Sequence, residues 1–325
     1  MAAGAEGACG PGPDVEIRWA PLDPVLAGAR HRGPAVQIAD GEIQLAVGDI
    51  ARYRMRAGSE IVIDALPGAS DRDVRAYLLG GALGLLCHQR ALLPLHANAV
   101  VVRDRAVAIA GRSGAGKSTL AAHYHDKGYD LLSDDVCAIT FPEAGHPLAW
   151  SGIPRLRLWR DSAEASGRDV DRLDPVADGL DKYHWPVTLR APQQGLPLAR
   201  IYVLTDTANC SQAEISRLRG GDALEAVMEQ TFRREYLGVM DGAAQRFARG
   251  IALLARVPVF RVAWPHDYRR LAAEAARLED HMLDDAAGAG GGSRRDAGLG
   301  SGIAVATISA PRGTFVYIDR SLFGL

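Results

Sequence analysis

The strongest chemical signal in the chain is the run Gly111-Arg112-Ser113-Gly114-Ala115-Gly116-Lys117-Ser118-Thr119. Gly111, Gly116, Lys117 and Ser118 complete the pattern Gly-x-x-x-x-Gly-Lys-Ser/Thr of a phosphate-binding P-loop, or Walker A motif. Glycines at 111, 114 and 116 let the backbone wrap close to phosphate oxygens with its N–H groups turned inward. A helix opening at Lys117 adds the partial positive charge of its N-terminus. Lys117 is placed to bridge the outer phosphates of ATP, and the Ser118 hydroxyl to ligate magnesium (Mg²⁺). The expected nucleotide cradle is therefore Gly111, Ser113, Gly114, Ala115, Gly116, Lys117, Ser118 and Thr119.

A second signal follows at Asp134–Asp135. One carboxylate beside magnesium is expected near a P-loop, and two adjacent ones suggest a second duty, such as accepting a proton from an incoming hydroxyl. The same pair is also compatible with a solvated turn. His96, ahead of the P-loop strand, reads from its residue type as a buried histidine with a satisfied hydrogen bond. Arg155 and Arg157 are the arginines nearest the pair, and Arg155 is the candidate for neutralising charge during transfer.

The elements that must position these residues read as α/β. Short β-like runs occur at 15–18, 35–38, 43–45, 53–56 and 60–63, punctuated by Asp40–Gly41 and Ala57–Gly58. A helix capped by Asp71 is expected through Arg90. Strands at 97–102 and 106–110, joined by a turn at Arg103–Asp104, lead into the P-loop and a helix that stops at Gly128. A strand at 136–140 comes next, and 141–200 reads as irregular and proline-rich. Beyond it come strands at 200–204, 213–218 and 257–263, and helices at 221–237, 243–255 and 266–283. Expected boundaries are a disordered 1–13, a β-rich region with one helix at 14–90, a catalytic region at 91–285, a Gly-rich linker at 286–302 and a β-prone tail at 303–325. Ser321 near the chain end is a candidate autophosphorylation or pseudosubstrate residue, against a tail strand that simply pairs with a sheet edge.

Three of these segments in order carry a resemblance: Leu95-His96-Ala97-Asn98-Ala99-Val100, then Gly111 to Thr119, then Gly128 through Asp135. Together they resemble the C-terminal catalytic domain of HPr kinase/phosphorylase, most strongly over about residues 90–160. Weaker similarity continues through 154–159 and Asp181-Lys182-Tyr183. The resemblance implies a P-loop kinase core akin to phosphoenolpyruvate carboxykinase and transfer from ATP to a protein serine. It implies that Ser118 and Asp135 hold magnesium, that Asp134 is the acid/base near the acceptor hydroxyl, and that His96 orients the carboxylate. It also implies assembly into homo-oligomers. The family's Glu-Ile-Arg-Gly segment, tied to phosphorolysis, is missing. The kinase-only pattern looks more like relatives that act on ribosomal precursor peptides, such as lasso-peptide kinases. Alternatives from other classes are a small-molecule kinase and a non-catalytic ATP-binding regulator.

Composition excludes several other classes. The 325 residues carry 37 Lys plus Arg against 39 Asp plus Glu, a net charge of −2 that advertises no nucleic-acid partner. Cys9, Cys87, Cys137 and Cys210 show no metal-binding spacing and fit a reducing cytoplasm. The most apolar stretch, 78–102, is broken by His88, Gln89 and Arg90, so no membrane partner is expected.

Overall fold

A computed structural model describes residues 15–143, 145–152, 155–187, 195–206, 212–240, 242–265, 267–284 and, for the backbone, 316–318. The expected disordered start, the Gly-rich linker, the 303–309 run and Ser321 lie outside the described residues.

The strand that feeds the P-loop, Arg105–Gly111, alternates between two cores. Val107 and Ile109 point to one, and Ala106, Ala108 and Ala110 to the other. Such a strand, buried on both faces, belongs inside a sheet covered by helices on each side. It pairs parallel with Leu196–Asp206, which pairs parallel with Val259–Trp264. Ala97–Val102 joins antiparallel through Arg103–Asp104, both at positive φ (48° and 60°), which suits a tight hairpin. Leu131–Ser133 lies beyond it, and Glu214–Leu218 closes the opposite edge.

Helices Lys117–Asp126 and Leu271–Leu283 cover one face, joined by the Tyr124 hydroxyl donating to Ala275 O at 2.9 Å. Gly220–Glu229 and Ala243–Leu254 cover the other. The start of the Leu196–Asp206 strand also carries Leu148–Ala149, which extends through Cys137–Thr140 to Leu93–Leu95.

A second sheet gathers the N-terminal strands as an antiparallel succession from His31–Arg32 to Glu60–Ala65, with Val15–Trp19 parallel to the last. Val316–Ile318 pairs antiparallel with the outer edge of Val15–Trp19, register Val15 to Ile318.

The structure departs from the sequence reading at several points. The cap of the first helix is Ser70, whose hydroxyl accepts from Asp73 N at 3.1 Å; Asp71 is already helical. That helix does not run unbroken to Arg90. Leu78–Ala82 is a π-helical turn between Asp71–Tyr77 and Leu83–Gln89. Its Gly80 and Gly81 have no side chains, which allows a close approach. A Cβ on Gly81 would stand 2.9 Å from Leu45 Cδ2. The stretch 141–200 is not uniformly irregular. It contains a three-stranded antiparallel sheet, Arg155–Trp159, Lys182–Pro186 and Asp174–Pro175, and a helix, Arg160–Ala165. Its strands are short and proline-flanked, which hid them from a periodicity argument. The expected 221–237 helix ends at Glu229, and the last helix begins at Leu271 after a 3₁₀ turn, Tyr268–Arg270. The architecture is mixed α/β, and among the described residues no helix is long and apolar enough to cross a membrane.

Candidate active site

The loop after the Arg105–Gly111 strand needs its glycines. Gly111, Gly114 and Gly116 have φ of 149°, 84° and 92°, a region that side chains with a Cβ rarely enter. A Cβ on Gly111 would also come within 2.8 Å of Leu204 O in the neighbouring strand and 3.3 Å of Ala115 Cβ. Gly111 and Ala115 thus form the back of the loop. Ser113, Gly114, Gly116, Lys117, Ser118 and Thr119 line a cleft of about 440 Å³.

Lys117 is buried, and its ammonium donates to Gly111 O at 2.7 Å and Arg112 O at 3.0 Å. The loop's own carbonyls thus hold it over the cradle. Burial lowers its pKa to about 8, with Asp135 partly opposing the shift and Lys182 reinforcing it.

Asn98 arrives from the adjacent hairpin strand. Along Ala97–Val102 it shares a face with Val100 and Val102, the side on which the Lys117–Asp126 helix packs. Its Nδ2 lies 3.5 Å from Ser118 Oγ, and its Oδ1 is 3.5 Å from Asp135 N. One fully buried amide therefore links the P-loop serine to the carboxylate pair. Sequence reading quoted Asn98 within a motif but gave it no role.

The two aspartates, adjacent in sequence, part company in space. Asp135 adopts φ 71°, a left-handed conformation that aspartate tolerates better than most residues. The turn sends its carboxylate to the cleft. Asp134 does not line the cleft. Its side chain is 3% exposed, and its Oδ2 accepts from the Arg157 backbone N–H at 2.9 Å. The residue expected to be the base thus lies behind the site.

Arg157 bridges the pair, its NH2 on Asp135 Oδ2 and its Nε 3.5 Å from Asp134 Oδ2. For Asp135, burial acts to raise the pKa, but Arg157, His96 and Lys182 outweigh it and hold the carboxyl below its ordinary value. For Asp134, burial wins over Arg157, aided by repulsion from Asp135, and its pKa is raised.

His96 Nδ1 lies 3.1 Å from the Asp135 carbonyl oxygen and 3.6 Å from Oδ1. Burial, and then the positive charge of Lys117, lower its pKa. The imidazole is therefore neutral at neutral pH, and Nδ1–H donates to the Asp135 carbonyl. His96 is half-buried, and its hydrogen-bond partner is the Asp135 backbone carbonyl rather than the carboxylate.

Arg155, expected to be catalytic, sits two residues further out on the Arg155–Trp159 strand and does not line the cleft. The cleft instead receives Trp159, Arg160 and Lys182 from the three-stranded sheet and the helix after it. Trp264, Pro265, Tyr268 and Leu271 close its apolar end. Thr119 Oγ1 donates to Ser162 Oγ at 2.9 Å, which lies 3.1 Å from the Tyr268 hydroxyl, tying that end to the P-loop helix. Lys182 was visible in sequence only as part of the Asp181-Lys182-Tyr183 similarity. Trp159 was visible only within the 154–159 similarity, and Trp264 gave no signal of its own, because a lone tryptophan reads equally well as core.

The donors fit a phosphate-bound magnesium ion. Among the described residues no cluster of three or more His, Cys, Asp or Glu could hold a metal unaided. Magnesium on a nucleotide needs only one or two protein oxygens, its remaining positions going to phosphate and water. Ser118 and Asp135, linked through Asn98, match that need.

No family model matches this chain, and no curated protein matches it. Among solved structures it is similar to the HPr(Ser) kinase/phosphatase from Coxiella burnetii, at 13% identity over 58% of this chain and 96% of that one, with a TM-score of 0.30. A likeness that slight does not say which residues act, or on what.

Proposed function

We propose that the protein is an ATP- and magnesium-dependent kinase with a P-loop core of the phosphoenolpyruvate-carboxykinase-like type, transferring the γ-phosphoryl group to a serine hydroxyl of a peptide or small protein. The observation that carries this reading is the meeting, in one cleft, of a complete P-loop and the Asp135 carboxylate, which Arg157 holds beside it.

The apolar end of the cleft, with Trp264, Tyr268 and Leu271, suits a nucleobase. Loop amides and Lys117 face the phosphates. Magnesium held by Ser118, with Asp135 close by, would supply charge neutralisation on the phosphate oxygens. An acceptor hydroxyl placed against Asp135 donates a hydrogen bond to its carboxylate. As the bond between the acceptor oxygen and the γ-phosphorus forms, the bond from that phosphorus to the bridging oxygen of ADP breaks. The hydroxyl proton passes to Asp135. The duties expected of two carboxylates thus gather on Asp135, and Asp134 serves by fixing Arg157. Lys117 stabilises charge on the transferring group, because a preorganised cation in a water-poor cleft needs no reorganisation during the reaction.

Incubation with γ-labelled ATP and serine-bearing peptides tests the proposal. Label on peptide serine supports it. Tight nucleotide binding with no transfer to any hydroxyl overturns it in favour of a non-catalytic ATP-binding regulator.

A further inference from the structure

Beyond the Asp pair the three-stranded sheet presents a row of basic side chains, the outer of which lie off the P-loop cleft. On the strand Arg155–Trp159, Leu156 and Leu158 are fully buried, so Arg155, Arg157 and Trp159 share the opposite face. The partner strand pairs Trp159 with Lys182, Arg157 with His184 and Arg155 with Pro186. Cross-strand partners share a face, which sets Lys182, Arg157, His184 and Arg155 on one surface, running outward from the cleft.

Lys182 and Trp159 line the cleft itself, and Arg157 is committed to the two aspartates. The outer members are not committed. The Arg155 guanidinium makes no hydrogen bond or ion pair among the described residues, and His184 Nδ1 is buried without a hydrogen-bond partner. Arg75, from the helix Asp71–Tyr77, adds its field to both.

The electrostatics show the strain of this arrangement. Burial, and then Arg155 and Arg157, lower the His184 pKa to about 4, with Asp174 opposing. Arg155 is lowered to about 10 by burial and by Arg157, with Asp134 and Asp135 partly opposing. A partly buried guanidinium beside like charges costs stability. An anion arriving there would relieve that cost.

We infer that Arg155, with Arg75 and His184, is a subsite for an anionic oxygen group on the phosphoryl acceptor, so the acceptor is an acidic one. This rests on the kinase reading and names its substrate class. Arg155 and Arg157 are two residues apart on one strand, about 7 Å. Since Arg157 sits on Asp135, the acidic group lies about two residues from the acceptor serine in an extended peptide. A side-chain carboxylate and a chain-terminal carboxylate both offer this chemistry.

The test uses the full chain and three short peptides, each with one serine. One has aspartate two residues from the serine and an amidated end. One is neutral, with a free carboxyl end two residues from the serine. The last is neutral and amidated. Transfer from ATP is measured as kcat/KM, and binding is measured separately by fluorescence polarisation on labelled versions with alanine in place of the serine. The subsite requires one or both acidic peptides to exceed the neutral one about tenfold or more in binding, and in kcat/KM as well wherever transfer occurs. Whichever does so identifies the source of the anion. Arg155→Glu must erase or reverse that ratio, and Arg155→Lys must restore part of it. Equal values for the three peptides, unchanged in Arg155→Glu, overturn the subsite and leave the kinase standing. Selective binding of an acidic peptide without any transfer supports the subsite and overturns the kinase instead.

Discussion

Arg157 holds Asp135 by its guanidinium while its own backbone N–H holds Asp134 at 2.9 Å. One residue thus fixes two consecutive carboxylates that face different surroundings. The strand carrying Arg157 is anchored by the buried Leu156 and Leu158, so the guanidinium has little freedom to leave.

Arg157→Met would leave two buried carboxylates without their cation. Breaking a buried pair in this way costs about 3–5 kcal/mol, read as a lower urea midpoint. In the parent protein Asp135 is held below its ordinary pKa. Its contribution to stability is then present above the unfolded carboxylate pKa of roughly 4 and is lost as pH falls through the lower folded value. Arg157→Met should remove that acid-side loss and flatten or reverse the slope of stability below the unfolded carboxylate pKa, because burial then acts on both carboxylates with less opposition. An unchanged slope would show that Arg157 does not set the Asp135 charge.

Asp135→Asn should lower peptide phosphorylation about 10²–10⁴-fold, the usual worth of a positioned proton acceptor. Asp134→Asn should be milder, because Asp134 touches Arg157 and not the cleft. Nucleotide affinity with and without magnesium separates the duties of Asp135. Loss of the magnesium-dependent part in Asp135→Asn marks a metal ligand, and its retention marks a proton acceptor alone. Greater loss of transfer in Asp134→Asn than in Asp135→Asn would reverse the assignment.

Lys117 carries a pKa of about 8 before any phosphate is bound. Its charge is present below that value and disappears as pH rises through it. The free-enzyme profile, kcat/KM for ATP against pH, should therefore fall above pH about 8. Lys117→Ala should remove that limb along with most of the activity.

Gly152 packs on the turn that carries the carboxylates. A Cβ there would lie 3.1 Å from Ser133 Cβ and 3.2 Å from Ser133 Cα, while Gly152 N donates to Leu132 O at 2.7 Å. Gly152→Val should cost about 1–3 kcal/mol by overpacking. It should also reduce kcat more than nucleotide affinity, because it displaces Asp135 and leaves the P-loop in place. Equal loss in both would place the damage elsewhere.

The phosphate cradle was legible in sequence because everything it needs is local: a buried strand, three glycines and a helix start within a dozen residues. The hairpin at Arg103–Asp104 and the strands of the N-terminal sheet were legible for the same reason, since turn chemistry and alternation act between near neighbours. The resemblance also pointed to His96, whose neighbour in space, Asp135, lies 39 residues on. Which aspartate faces the cleft was not legible. That depends on the left-handed backbone at Asp135 and on burial of Asp134, neither of which a pair of identical residues reveals. Arg157, Lys182 and Trp159 reach the site through cross-strand pairing in a sheet of short, proline-flanked strands, where periodicity is too brief to read. Sequence determined the order of strand, glycine-rich loop and helix start that makes a P-loop. Tertiary structure decided which of the two carboxylates faces the cleft, because only packing sets burial and only burial separates the two acids.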